Sequence, residues 1–178
     1  TPGAGVAGAV PDPCGVWGWT TSHTSVANVD LTSRCNLACP ICFADANRRP
    51  YELSFDQAVE TLRRFRAQRP APAFAVQFTG GEPTVHPRFL DIVASAKSLG
   101  FSHIQAASNG VRFADRDFAR RARDAGLQYI SLQMDGTSDD VFQRIRGKAL
   151  LDTKLAVLEA ARHAGLRVIF VPTIVREV

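Results

Sequence analysis

Three of the four cysteines, Cys35, Cys39 and Cys42, fall within eight residues in the spacing Cys-x3-Cys-x2-Cys, and Cys14 stands apart. A disulfide framework spreads its cysteines along the chain. Thiols packed this closely suit a metal in a reducing compartment, here read as the cytoplasm. Structural zinc takes four Cys or His ligands, and an iron–sulfur cluster commonly takes four Cys. Three thiolates on a 4Fe–4S cube would leave one iron open to a substrate or cofactor. The competing arrangement is a zinc site completed by Cys14 or His23, which would make the chain a binding module without catalysis.

A second group of residues falls at regular intervals downstream. Gly80-Gly81-Glu82-Pro83 offers a close backbone approach and a carboxylate, Asn109-Gly110 an amide, and Asp135-Gly136 a second carboxylate. Alone, each reads as a turn. At the ends of successive strands they describe a rim of ligand-binding groups.

The elements that would carry this rim alternate between two periodicities. Val26 to Ser33, Phe74 to Thr79, His103 to Asn109, Tyr129 to Asp135 and Arg167 to Thr173 read as strands. Helical patterns lie between them at Ser54 to Arg69, Arg88 to Leu99, Asp115 to Ala125 and Asp152 to Ala164. The first opens on a capping box, Ser54 with Gln57. Three of them end in Gly followed by an apolar residue, at Gly100-Phe101, Gly126-Leu127 and Gly165-Leu166, and a strand follows each time. Such strand–helix repeats imply right-handed crossovers and a parallel sheet. The expected fold class is therefore α/β with a parallel sheet.

One strand face is polar: Asn28, Asp30 and Thr32, then Gln77 and Thr79, then Gln105 and Asn109, then Ser131, Gln133 and Asp135. The other carries Val29, Leu31, Val76, Phe78, Ile104, Ala106, Ile130, Leu132 and Met134. Strands covered on both faces should be apolar throughout. The polar face is either a lumen holding a polar ligand or the solvated side of an open sheet. The connection from Ser33 to Ser54 is about twenty residues, a length that in a compact domain is usually functional. It leaves the C-terminal end of a strand, where ligands bind in barrels and open sheets.

The remaining composition excludes more than it suggests. A net charge of +4 does not call for nucleic acid, and none is expected as a partner. No apolar run is long enough to span a membrane. Residues 1–25, rich in Gly, Ala and Pro at the start, read as a tail or linker from an upstream region, with residues 26–178 as the core domain, incomplete at its C-terminus. The runs Arg63-Arg64-Phe65-Arg66 and Arg120-Arg121-Ala122-Arg123 read as solvated helix faces.

Cys-x3-Cys-x2-Cys after a first strand with Gly-Gly-Glu-Pro after a second resembles the radical S-adenosylmethionine (SAM) superfamily, from Val26 to about Arg176. The resemblance implies that Cys35, Cys39 and Cys42 hold a 4Fe–4S cluster whose open iron binds SAM. The family's fold would make the chain a partial (β/α)6 TIM-type barrel truncated after the fifth strand. Gly80, Gly81 and Glu82 would meet the amino group of SAM, with Pro83 completing that cofactor-binding segment. Asn109, Ser131 and Asp135 match positions near its ribose or carboxylate. Arg146, in Arg144-Ile145-Arg146-Gly147, would approach the carboxylate or else be an exposed helix-end arginine. The residue before the last Cys is Ile41 where the family usually has an aromatic, and Phe43 comes after it. Ser22-His23-Thr24, Cys39 to Asn47, Gln77 to Thr84 and Leu132 to Gly136 further resemble the group of tetraether lipid synthase and pterin-dependent methyltransferases. Members of that group often carry an upstream cysteine pair, of which only Cys14 is present here, with Trp17 in the second position.

The implied function is reductive cleavage of SAM to a 5′-deoxyadenosyl radical that abstracts hydrogen from an organic substrate, for carbon–carbon bond formation or methylation at an unactivated carbon. The implied partners are a small-molecule or lipid substrate, a membrane surface if that substrate is a lipid, and an electron donor such as ferredoxin or flavodoxin. A peptide-modifying maturase is the second enzyme reading.

Overall fold

The computed structural model describes residues 25–176 apart from residues 49 and 70. Cys14, Trp17 and His23, named above for a zinc or auxiliary metal site, lie outside the described residues. Five strands, β1 (Val26–Thr32), β2 (Ala75–Gly80), β3 (His103–Ser108), β4 (Tyr129–Gln133) and β5 (Arg167–Val171), form one parallel sheet in the order β1-β2-β3-β4-β5. Every crossover therefore advances one strand in the same direction. With right-handed connections, that winding places all the helices on one side of the sheet.

The helices are α1 (Phe55–Arg66), α2 (Phe89–Ser98), α3 (Arg116–Ala125), α4 (Asp139–Arg146) and α5 (Leu151–Ala164). Val29, Leu31, Val76, Phe78, Ile104, Ala106, Ile130 and Leu132 from the strands pack against Leu62, Ile92, Phe118, Ala122, Val157 and Ala161 from the helices in one buried cluster. The helices thus cover the apolar face alone. The polar face, with Asn28 and Asp30 exposed and Gln77, Thr79, Gln105 and Gln133 half-buried, is the inner side of a barrel arc. Across it runs an amide ladder, with Gln77 Nε2 donating to Asn28 Oδ1 at 3.1 Å and Gln105 Nε2 to Gln77 Oε1 at 2.6 Å. Among the described residues, no helix is long and apolar enough to cross a membrane.

Local signals account for the element ends. Ser54 and Gln57 close a reciprocal capping box on α1. At Gly100, Gly126 and Gly165 the backbone takes a positive φ, and the N–H of the following residue returns to a carbonyl five residues back: Phe101 to Ala96 at 3.2 Å, Leu127 to Ala122 at 3.0 Å, and Leu166 to Ala161 at 2.9 Å. That closure turns Phe101, Leu127 and Leu166 into the core. One helix lies outside the four helical ranges read from the sequence. α4 sits inside the fourth crossover, begins after Ser138 with Asp139 and Asp140 in its first turn, and stops at Gly147 in the left-handed conformation. Its eight residues are too few to show a helical period clearly, although its end signals are ordinary ones.

Candidate functional site

The long connection leaves β1 at Thr32, and its far end comes back beside the strand it left. Ser33 N donates to Tyr51 O at 3.0 Å, Leu53 N donates to Leu31 O at 2.9 Å, and Arg34 pairs with Glu52. Within the loop, Asn47 is the clamp. Its Oδ1 accepts from Cys35 N at 2.9 Å, its Nδ2 donates to the carbonyls of Cys35 and Leu37 at 3.2 and 3.3 Å, and its own N–H donates to Ser33 O at 2.9 Å. Its φ of 67° is one that asparagine tolerates better than most residues.

Gly80 and Gly81 bring the end of β2 against the start of this loop. Gly81 N donates to Thr32 O at 2.8 Å and Glu82 N to Arg34 O at 2.9 Å. A Cβ on Gly81 would lie 2.4 Å from Arg34 O and 2.5 Å from Ser33 O, and one on Gly80 would lie 2.3 Å from Thr32 O. No side chain fits in either place. The paired glycines let two backbone segments touch behind the first cysteine.

Glu82 is 1% exposed, and its carboxylate accepts four hydrogen bonds from the protein. The donors are Thr84 N at 3.1 Å, Thr84 Oγ1 at 2.6 Å and Ser108 Oγ at 2.9 Å, with Asn109 N reaching the other oxygen at 2.7 Å. Burial outweighs these bonds and raises its pKa above the ordinary carboxylate value. Pro83 starts the 3-10 turn Pro83–Val85 that Glu82 caps. Asn109, 8% exposed, faces the cysteine loop, with Nδ2 donating to Asn36 Oδ1 at 2.7 Å and to Cys35 Sγ at 3.7 Å.

Asp135 and Arg146 form a buried two-pronged ion pair, Nε to Oδ2 at 2.7 Å and Nη2 to Oδ1 at 2.8 Å, with side chains 0% and 4% exposed. Arg146 also donates to Ile41 O at 3.1 Å and Thr173 Oγ1 at 2.7 Å, and it reaches the Cys39 thiol. It is therefore no exposed helix-end residue. It joins the cysteine loop, the end of β4 and the segment after β5. Burial opposes the Asp135 carboxylate, but hydrogen bonds from Arg146 and Thr173 overcome it and hold its pKa below the usual range. Ser131 is buried on the inner face of β4, beside Ala107 of β3.

Cys35, Cys39 and Cys42 are free thiols that together line a cavity of about 390 Å³, with Leu37, Pro40 and Asn47 among its other walls. Burial raises the Cys35 pKa, and the charges of Glu82 and Cys39 add to this, against the Leu37 N–H that lowers it. Among the described residues, no three His, Cys, Asp or Glu side chains converge on a single ion. A cube of iron and sulfur asks for something else: thiolates around a volume, each bound to its own iron and steadied by N–H donors. Leu37 N, at 3.4 Å from Cys35 Sγ, and the Asn109 amide are such donors. The residues present fit the cluster.

Two members of this site are not singled out by the sequence: Asn47, which enters only as the end of the Cys39 to Asn47 segment, and Lys154, whose ammonium is buried and donates to Asn109 O at 2.6 Å. His86, 2% exposed, is a structural residue bonded to Leu53 O at 2.8 Å.

A family model for the radical SAM superfamily matches residues 29–177. The 7,8-dihydro-6-hydroxymethylpterin dimethyltransferase of Methanocaldococcus jannaschii is 41% identical over 171 residues, covering 94% of this chain and 34% of that protein. The mycofactocin maturase MftC of Mycolicibacterium smegmatis is 32% identical over 139 residues, 76% of this chain and 34% of its own. Among solved structures, SuiB of Streptococcus suis bound to S-adenosylmethionine matches with a TM-score of 0.72 at 14% identity, over 88% of this chain and 36% of that one. The chain thus spans about a third of the length of these relatives.

Proposed function

The chain belongs to the radical SAM superfamily, and from that premise we propose that it is the catalytic core of an enzyme that methylates, or forms a carbon–carbon bond at, an unactivated carbon of a polar small molecule. The family's cofactors are a 4Fe–4S cluster and SAM. When bound, they supply one-electron cleavage of SAM to a radical that abstracts hydrogen. The observation that carries the reading is the cavity lined by Cys35, Cys39 and Cys42 at the C-terminal ends of parallel strands.

In this reading the three thiols hold the cluster. The main chain of Gly80, Gly81 and Pro83, the Asn109 amide, and Ser131 lie where they can face SAM. Glu82, Asp135 and Arg146 serve from behind: Glu82 fixes the Asn109 turn, and the Asp135–Arg146 pair ties the cysteine loop to β4. The resemblance to lipid synthases would allow an alkyl chain as substrate. The inner face favours a polar one, because the Asp30 carboxylate and the Asn28 amide NH2 at the exposed end of the amide ladder would lose hydration against hydrocarbon, at about 1–3 kcal/mol for each group left unpaired. Likeness to the pterin dimethyltransferase supports a small heterocycle, and likeness to MftC supports a peptide substrate as the second reading. An electron donor such as ferredoxin or flavodoxin, and a cytoplasmic location, follow from the chemistry.

The test is anaerobic reconstitution of the full-length protein with iron and sulfide. Wild type should become brown and release 5′-deoxyadenosine from SAM under a strong reductant, and Cys39→Ala should release none. Undiminished product in Cys39→Ala, or colourless protein holding stoichiometric zinc, would refute the assignment. Incubation with a reduced pterin and with a precursor peptide then separates the two substrate readings.

A further inference from the structure

Lys154 lies in the second turn of α5, fully buried, on the same stripe of that helix as Val157 and Ala161. A lysine on such a stripe needs a reason, because lysines are almost never fully buried without a partner. Its Nζ rises to the rim and donates to Asn109 O at 2.6 Å. On the way it passes over the Phe142 ring of α4, 5.8 Å from the centroid. An ammonium has three N–H donors, and among the described residues Asn109 O is the one acceptor they meet. The charges it feels are those of the site: Asp135, Glu82 and Cys39 attract it and Arg146 repels it. Burial nevertheless lowers its pKa to about 8.

Asn109 is the junction through which Lys154 can act. Its carbonyl is held by Lys154, its N–H by Glu82, and its side-chain amide is aimed at Asn36 and Cys35. A protein has little use for a poorly solvated cation here unless more negative charge arrives. Three thiolates and a bound carboxylate would bring it. We propose that Lys154 is a positioning residue of the cluster site, which fixes Asn109 against the cysteine loop and places a buried positive charge behind the thiolates, easing one-electron reduction of the cluster. The charge favours the reduced state because reduction adds an electron where little water screens it.

The proposal rests on the cluster reading, so the experiment keeps the two apart. Full-length wild type, Lys154→Gln, Lys154→Met and Lys154→Arg are reconstituted anaerobically. The cluster's midpoint potential is read by redox titration under electron paramagnetic resonance, and the dissociation constant of SAM is measured on the same samples. Lys154→Gln keeps a donor for Asn109 O and loses the charge. Its potential should fall by the equivalent of a tenfold change in the reduction equilibrium, about 59 mV for one electron. Lys154→Met should show that fall together with SAM binding weakened several-fold, and Lys154→Arg should restore the potential. A merely structural lysine would change the melting temperature and leave the potential of the folded, loaded protein where it was. Equal potentials in wild type and Lys154→Gln overturn the electrostatic role, even if Lys154→Met does not fold. A wild type that takes up no cluster overturns the reading of the site and the proposal with it.

Discussion

Glu82 lends itself to a worked perturbation because its carboxylate is almost fully buried and accepts four hydrogen bonds from the protein. Replacing it with Ala removes the acceptor for Thr84 N, Thr84 Oγ1, Ser108 Oγ and Asn109 N. The two hydroxyls can rotate to other partners, but the two backbone N–H groups cannot. Each buried donor left unmade costs about 1–3 kcal/mol. Relief of the buried carboxylate recovers part of that, so a net loss of about 3 kcal/mol is expected, a large share of the roughly 5–15 kcal/mol typical of folded domains. With a urea slope of about 2 kcal/mol per molar, the unfolding midpoint should drop by about 1.5 M. Glu82→Gln retains one carbonyl acceptor and should lose less. The pH dependence has a definite sign. The folded pKa is raised above the reference value of 4.5, so the group's contribution is full below that value and is lost as pH rises through the folded pKa. The gap between wild type and Glu82→Gln should therefore narrow as pH rises from 4.5. Urea unfolding of apoprotein under reducing conditions, repeated across pH, measures both effects. An unchanged midpoint in Glu82→Ala, accompanied by weakened SAM binding, would show that the carboxylate faces the cofactor and not the interior.

Two further substitutions test the same rim. Gly81→Ala forces a Cβ to within 2.5 Å of two backbone oxygens of the cysteine loop; a loss of about 1–3 kcal/mol and reduced iron content after reconstitution are expected, and full iron content would show that the two segments need not touch. Asp135→Asn breaks a buried ion pair and should cost about 3–5 kcal/mol in thermal unfolding. Because the folded pKa of Asp135 lies below its reference of 3.8, that cost should hold steady from neutral pH down to about 4 and disappear as pH falls through the depressed value. A cost that vanished at neutral pH would refute the pairing.

The polar and apolar strand faces and the glycine-closed helix ends were legible because each depends on a residue's neighbours in sequence. Val29 and Leu31 alternate with Asn28 and Asp30 however the sheet is wound, and Gly126 needs only the helix before it. What escaped the sequence depends on which groups meet. The carboxylate of Glu82 accepts from Ser108 and Asn109, 26 and 27 residues away, a pairing that no local pattern announces. Arg146 could be read as solvent-facing until Asp135, Ile41 and Thr173 came together around it. Lys154 did leave a trace, since it lies three residues before Val157 and seven before Ala161 on the buried stripe of α5, while Leu155 beside it is 51% exposed. Helical period alone flags that inversion. It does not say what the lysine reaches.

The distribution of buried polar groups argues for function more strongly than any single contact. Thr32 and Ser33 end β1, Glu82, Thr84 and His86 follow β2, and Ser108 and Asn109 close β3. Ser131 lies in β4, Arg146 at the end of α4, and Lys154 sends its ammonium up to Asn109. With the Asp135 side chain, these buried polar groups nearly all gather at the C-terminal ends of the strands. Burying polar and charged groups is unfavourable wherever it occurs. A fold selected for stability alone would scatter them or replace them with hydrocarbon, as buried ion pairs often can be. Concentrated at one end, Asn109 and Arg146 among them hold the loop that carries Cys35, Cys39 and Cys42, together with the Asn47 clamp within the loop and the Gly81 contact at its base. Rigid placement of three sulfurs is what that arrangement achieves, and it is what the cluster proposed for this site would require.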